Sequence, residues 1–341
     1  MLVQHDKQRI KVLSEHEPQT FWRNWGAFHT VFTPIHSPFT SERRWRSHAD
    51  RFLRMMKRHK PIFLVSVLLL GVSACYVGAA NSPPASAMSQ PPPLSAGTAR
   101  FVTLNIVHGT RMPVPNLLVR ASTEEANLRA IGDLLAAERP AVVALQESIH
   151  GPEGGQTAAI ASHGGFANWA DDASVTSGSQ RHASSLVSSV ALEDPRSETL
   201  LRGTTRAKGW LGATVAIEAF GGLRVRVISV HLDPLSAGVR ARQVDQLARE
   251  LEDESLPLVV MGDFNCAWEE TGCVQDLAQR LGLDAAPSDG TPTYAMLGIR
   301  RSLDWVLVSR PLEIRSARVL PAKVSDHRPV VVEVGVREDR S

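Results

Sequence analysis

The chain has 341 residues, 43% of them hydrophobic, enough to bury one substantial core and carry an extra segment. Its formal net charge of +2 hides an asymmetry, because residues 1–60 hold 12 Lys/Arg against 5 Asp/Glu and leave 25 against 30 for the rest. A net acidic remainder excludes a nucleic-acid binder that works by overall positive charge and leaves only a local basic rim, with Arg202, Arg206, Lys208, Arg300 and Arg301 as its candidates and a solvated surface as the plainer reading of each.

Residues 1–54 form a basic extension containing Trp22, Trp25 and Trp45 without clear periodicity. Residues 55–80 follow the pattern of an export signal: Arg51, Arg54, Lys57, Arg58 and Lys60 precede an apolar, small-residue run from Pro61 to Ala80. Val72-Ser73-Ala74-Cys75 within it looks like a bacterial lipobox, which makes Cys75 the candidate lipid anchor. An uncleaved signal anchor is the alternative, with the basic cluster on the cytoplasmic side. A buried core helix fits less well, since Gly71, Ser73 and Ala74 supply little packing volume. Either of the first two readings exports the remainder and holds it at the membrane. Because signals start close to an N-terminus, translation is expected to begin at Met55 or Met56, which makes residues 1–54 a gene-model extension. Residues 81–98, with Pro83-Pro84 and Pro91-Pro92-Pro93, read as a semi-extended linker.

Residues 99–338 alternate strands with a few helices. A strand from Phe101 ends in Leu104-Asn105-Ile106. Ser122-Thr123-Glu124-Glu125 has capping-box spacing, and Leu128, Ile131, Leu134 and Leu135 then share a helical face until Pro140. Ala141–Leu145 reads as a buried strand delivering Gln146-Glu147. Strands follow near 185–191, 211–218 and 223–231, the last ending at His231. A second helix, about 239–251, carries Val244, Leu247, Ala248 and Leu251 on one face. After Pro257 the apolar run Leu258–Met261 leads into Gly262-Asp263-Phe264-Asn265, where Asp263 and Asn265 share a face and Phe264 packs behind them. Cys266 and Cys273 flank six residues; a disulfide suits an exported protein, with zinc as the alternative. Two more strands, 303–308 and 329–336, adjoin Ser302-Leu303-Asp304-Trp305 and Ser325-Asp326-His327-Arg328-Pro329. No internal repeat is present. The other histidines, among them His108, His150, His163 and His182, read as ordinary core or surface groups, although His108 follows Asn105 closely enough to line a cleft.

The ordered series Asn105, Gln146-Glu147, His231-Leu232, Gly262-Asp263-Phe264-Asn265, Leu303-Asp304-Trp305 and Ser325-Asp326-His327-Arg328-Pro329 resembles the motif set of the endonuclease/exonuclease/phosphatase superfamily, over roughly residues 100–338. That resemblance implies an α/β four-layer sandwich: two mixed β-sheets packed face to face, helices outside, and the site at one end. It also implies a metal-dependent hydrolase of phosphate esters. Asn105, Glu147 and Asp326 supply hard oxygen ligands for Mg, with Mn possible. Asp263 orients or deprotonates the attacking water, Asn265 binds a nonbridging phosphate oxygen, His231 contacts phosphate or assists the leaving group, and Asp304 fixes the tautomer of His327. Tyr294 and Arg301 are the substrate-binding candidates. The reading favoured is a nuclease-type phosphodiesterase held at the membrane, with nucleic acid ranked above phospholipid. The alternatives are a phospholipid or small-molecule phosphoesterase and a catalytically idle binding module on the same fold. No protein partner is inferable.

Overall fold

The computed structural model describes residues 91–337 apart from 112–120, 173–175, 178–179, 204–207, 288–290 and 297. The leader, Cys75, the first part of the linker and Arg206 lie outside the described residues. Contacts divide the chain into two units, Met1–Ser82 and Pro83–Ser341, and every described residue belongs to the second. No helix among the described residues is long and apolar enough to cross a membrane.

The first sheet contains seven strands: β1 (Thr98–Asn105), β2 (Val142–His150), β3 (Asn168–Asp171), β4 (Thr176–Ser177), β5 (Gln180–Ser188), β14 (Leu312–Val319) and β15 (Val330–Val336), in the order β14-β15-β1-β2-β5-β3 with β4 on β5. The second contains six: β6 (Glu193–Thr199), β7 (Gly209–Ile217), β8 (Leu223–His231), β9 (Leu258–Asp263), β10 (Leu283–Ala286) and β13 (Asp304–Ser309), in the order β10-β13-β9-β8-β7-β6. A small hairpin, β11 (Tyr294–Met296) and β12 (Ile299–Arg301), stands apart. Each large sheet has one parallel pair among antiparallel neighbours, β1 with β2 and β8 with β9. Helix α1 (Ala121–Glu138) makes the first crossover and α3 (Ala237–Leu251) the second, as parallel pairing requires. Helices α2 (Gly155–Gly164) and α4 (Val274–Leu281) complete the outer layers.

Period-two alternation builds the layers. In β1, Phe101 joins Val142, Met261 and Val306 in the core between the sheets, while Val102 and Leu104 face outward beneath Leu128, Ile131 and Leu135 of α1. In β9, Val259 and Met261 face the inter-sheet core, and Val260 with Phe264 packs under Val244, Leu247 and Leu277 of α3 and α4. This is the four-layer sandwich that the sequence implied. One local expectation is corrected. Helix α1 begins at Ala121, so Ser122 sits inside its first turn and is not its N-cap. The cap of α3 is Ser236, whose Oγ accepts from the Val239 N–H at 3.3 Å.

Candidate active site

Following each inward-facing row toward one end of the sandwich, apolar side chains give way to polar ones. Phe101 is followed by Thr103 and Asn105, Ala144 by Gln146, Val227 by Ser229 and His231, and Met261 by Asp263. Below the mouth the buried Gln146 bridges the two sheets: Thr103 Oγ1 donates to its Oε1 at 3.3 Å, and its Nε2 donates to Ser229 Oγ at 3.2 Å. Register alone aligns the second sheet's contribution. His231 lies opposite Asp263 on β8 and β9, and Asp263 opposite Asp304 on β9 and β13.

The sheets are tied together at the site. Asn105 Nδ2 donates to Asp263 Oδ2 at 3.0 Å, while Asn105 Oδ1 accepts from the Val107 N–H at 2.9 Å. His327 Nδ1 lies 2.8 Å from Asp304 Oδ2, and His327 Nε2 lies 3.6 Å from Asp263 Oδ2. Thr293 locks Asp304 from both sides, donating its hydroxyl to Oδ2 at 2.6 Å and accepting from the Asp304 N–H at 3.0 Å. Asp304 Oδ1 is buried and accepts no hydrogen bond among the described residues. The Asp263 Oδ1 atom accepts from the Asn265 N–H at 2.9 Å, and Asn265 Nδ2 donates to Leu232 O at 3.0 Å, leaving its second amide hydrogen for a ligand.

The first sheet delivers Asn105 in regular register but Glu147 through a distortion. The β2–β5 register slips between Leu145 and Ser148, and the bulged Glu147 has φ 60°, in the left-handed region that an L residue with a long side chain adopts at a cost. Val107 and His108 also have positive φ, 41° and 59°, and Asn265 has 53°. Four such residues at one mouth are the pattern expected where function overrides local preference. The bulge sets Glu147 beside three cations or potential cations: His108 Nε2 at 3.4 Å, His231 Nε2 at 3.8 Å and Lys208 Nζ at 4.0 Å. Lys208 Nζ in turn lies 3.0 Å from His231 Nε2.

Charge is divided between the two histidines. Burial, followed by the Lys208 ammonium, pushes the His231 imidazole well below its usual range, so the ring is neutral near pH 7. Burial alone would lower His327 too, but Asp304, Asp263 and Asp326 raise it to about 10. Burial drives the Asp263 carboxyl up to about 7, with Asp304 adding to it against His327 and the hydrogen bonds from Asn105 and Asn265. Burial would likewise raise Glu147, yet His231, Lys208, His108 and His327 hold it at about 2. Burial also raises Asp326, with Glu147 and Asp304 adding to it against His327 and the Ser325 hydroxyl. Tyr294 packs edge-on to His327 at 5.0 Å between ring centroids; burial, then Asp326 and Asp263, raise its hydroxyl, which therefore stays a donor.

Asn105, Glu147, His231, Asp263, Asn265, Asp304, Asp326, His327 and Tyr294 thus share one mouth, whereas Arg301, cross-strand from Tyr294 on the exposed strand β12, has its guanidinium 3.5 Å from Glu270. The sequence offered Lys208 only as a rim residue and His108 only as a group close enough to Asn105 to line a cleft, and it gave Thr293 no role. The usable signal for Thr293 was its place one residue before Tyr294. Cys266 and Cys273 are paired as a disulfide, Cα–Cα 6.6 Å, directly after Asn265.

Two groups of ligand-bearing side chains result. Asp263, Asp304 and His327 bring donor atoms within 4.8 Å of one another and are, among the described residues, the group of acids and histidines close enough to hold a metal ion by proximity alone. Glu147 and Asp326, near enough for the charge of one to act on the other, and the Asn105 amide oxygen are further oxygen donors of the mouth.

Residues 104–327 match the sequence profile of the Endonuclease/Exonuclease/phosphatase family. A UPF0294 protein of Yersinia enterocolitica is 30% identical over 116 residues, 33% of this chain and 43% of its own length. The chain therefore spans under half the length of the curated relatives it matches. Among solved structures, the fold is similar to an endonuclease/exonuclease/phosphatase from Beutenbergia cavernae, with TM-score 0.56, 19% identity, 70% of this chain and 72% of that one. It is also similar to the human Nocturnin catalytic domain with bound sulfate anion, with TM-score 0.56, 20% identity, 72% of this chain and 96% of that one.

Proposed function

Because this chain belongs to the Endonuclease/Exonuclease/phosphatase family, generally hydrolytic phosphoesterases that typically use a divalent metal, we propose that it is a metal-dependent phosphodiesterase. The observation that carries this reading is the convergence of Asn105, Asp263 and His327 across two sheets, with Asp263 hydrogen-bonded to Asn105 and set 3.6 Å from His327.

The donor chemistry fits a hard divalent cation. In the Asp263-Asp304-His327 group the ring nitrogens face two carboxylates and hold their protons, so His327 has no lone pair for a metal. Glu147 and Asp326 are oxygen donors whose negative charges oppose each other, and Asn105 keeps a second lone pair on Oδ1. These three would hold Mg²⁺ or Mn²⁺, which would offset charge on the phosphoryl oxygens. Asp263, restrained by Asn105 and the Asn265 N–H, aims an oxygen at an attacking water and takes its proton. The protonated His327, held by Asp304, and the free amide hydrogen of Asn265 bind nonbridging oxygens. Neutral His231, its Nε2 3.7 Å from Asp263 Oδ2, and the Lys208 ammonium beside it steady the phosphate or the departing oxygen.

Export to the outer face of the membrane, through a lipid on Cys75 or a signal anchor, is part of the same proposal; the Cys266–Cys273 pair supports it, since disulfides persist in oxidising compartments. Nucleic acid is the first diester to test, on the sequence reading. A phospholipid diester is the second, favoured by aliphatic side chains exposed around the mouth.

The test is hydrolysis of bis-p-nitrophenyl phosphate, plasmid DNA and phosphatidylglycerol side by side, with Mg²⁺, Mn²⁺ or EDTA. Turnover of at least one diester, abolished by EDTA and restored by excess metal, is expected. Turnover that survives EDTA would refute the metal assignment, and inertness toward all three would remove the phosphodiesterase.

A further inference from the structure

Five large hydrophobic side chains are exposed among the described residues, and three of them, Leu201, Leu235 and Ile299, sit at the catalytic end of the second sheet. Leu201 follows β6, whose last residue Thr199 pairs with Gly209 at the mouth end of β7; Leu235 follows β8 and His231; Ile299 is in the hairpin preceding Asp304. Their relative exposures are 44%, 73% and 53%, high values for side chains that gain most from burial.

A continuous polar scaffold underlies them. Arg301 pairs with Glu270 at 3.5 Å, Glu270 accepts from Arg240 Nη2, and Arg240 Nη1 donates to Asp233 O at 3.0 Å. The Asp233 N–H donates to Gln243 Oε1 at 2.9 Å, and Gln243 Nε2 donates to Leu201 O at 2.9 Å. The three loops are therefore braced as one ridge, which fixes the apolar residues in place rather than leaving them on independent tips.

We propose that this ridge docks the mouth onto an anionic phospholipid surface, with Leu201, Leu235 and Ile299 entering the acyl boundary and the long side chains of Arg202 and Arg300, each exposed and next in sequence to a ridge residue, reaching headgroup phosphates. Residues 61–341 carry 25 Lys/Arg against 30 Asp/Glu, so an anionic lipid surface repels the body as a whole and approach falls to local cations such as the exposed Arg202 and Arg300. The chemistry of the ridge is aliphatic, whereas single-stranded nucleic acid is gripped by aromatic platforms. The apolar run 61–80, the membrane segment expected from the sequence, places such a surface within reach. A further step, that the diester cleaved belongs to a phospholipid headgroup, rests on the phosphodiesterase reading; the docking itself does not.

Sedimentation with vesicles tests it, using a chain that begins at Pro83, the unit that holds all three hydrophobic clusters. Partitioning onto phosphatidylglycerol-containing vesicles, weaker onto pure phosphatidylcholine, is expected. Leu235→Ser should lower it about tenfold, as removal of one leucine from hydrocarbon implies. The triple variant L201S/L235S/I299S should abolish it while leaving hydrolysis of soluble bis-p-nitrophenyl phosphate unchanged. Arg202→Gln and Arg300→Gln should each cost about fivefold at low salt. Equal partitioning of the triple variant and the parent, or none by the parent, overturns the docking. So does a triple variant that loses DNA binding while keeping its vesicles. Vesicle binding without turnover of any diester would instead leave the docking standing and remove the catalytic reading.

Discussion

The two sheets reach the same site by different means. The second places His231, Asp263 and Asp304 side by side through unbroken register, at strand positions any regular sheet would offer. The first needs a bulge to aim Glu147 and left-handed backbone at Val107 and His108. Regular register builds a rigid floor, whereas the distorted edge holds side chains whose conformation costs about 1–3 kcal/mol each and is retained for what it positions. The floor should therefore be intolerant in folding, and the edge intolerant only in chemistry.

The largest effect tests the floor's chemistry. Asp263→Asn keeps the shape and the hydrogen bond from the Asn265 N–H but removes the base and sets an amide NH2 against the Asn105 amide, so diester turnover should fall by about a thousandfold or more in a protein that still folds but melts somewhat lower. His327→Gln should fall comparably, and the double variant should be scarcely worse than either, because the two act as one unit. Multiplicative losses would break that pairing.

Next is the floor's intolerance to volume. A Cβ on Gly262 would meet the Val230 carbonyl oxygen at 1.9 Å, across the parallel β8–β9 pair. Gly262→Ala should cost about 3 kcal/mol of unfolding free energy, at the upper end of overpacking penalties. The matched change at the edge is Glu147→Gly, which relieves the left-handed φ of 60°. It should leave the melting temperature unchanged or higher while raising the Mg²⁺ needed for half-maximal activity at least about tenfold. A strongly destabilised Glu147→Gly protein would erase the distinction between floor and edge.

The same distinction explains what could be read in advance. Asp263, His231, Asn105 and Asp304 follow from alternation, because each sits two or four residues beyond a core side chain on its own strand, or begins one. Glu147 was legible as an acid at a strand's end, but the structure continues β2 to His150 and turns the acid inward by a bulge, for which no periodic signal exists. Lys208 and His108 were legible as a rim residue and a cleft neighbour, but not as partners of Glu147, because each enters the site from a connection whose course is set by tertiary contacts. Helix α2 was missed because its sequence, Gly155-Gln-Thr-Ala-Ala-Ile-Ala-Ser-His-Gly164, offers small residues rather than an apolar stripe, and α4 because eight residues are too few to show a period. Strand β14, half exposed and interrupted by Arg315, hid its alternation behind charge.

The smallest effect separates the two histidines, and it is read in proton positions rather than rates. His327, raised to about 10 by Asp304, Asp263 and Asp326, contributes stability that is full below its unfolded value of 6.5 and lost as pH rises through 10. Asp263, raised to about 7, acts in the same direction, its share fading as pH rises from 3.8 through 7, which is also where its gain of charge should start to support turnover. His231 runs the other way: lowered by burial and by Lys208, it costs stability as pH falls below 6.5. Ring nitrogen NMR of the resting protein should thus show His231 neutral at pH 6.5 and His327 still charged at pH 9. Lys208→Met should move His231 upward by removing the ammonium 3.0 Å from its Nε2, and should leave His327 in place. If both rings titrated together near 6.5, the carboxylates around His327 would not be holding its proton, and the division of labour between the two sides of the mouth would fail with it.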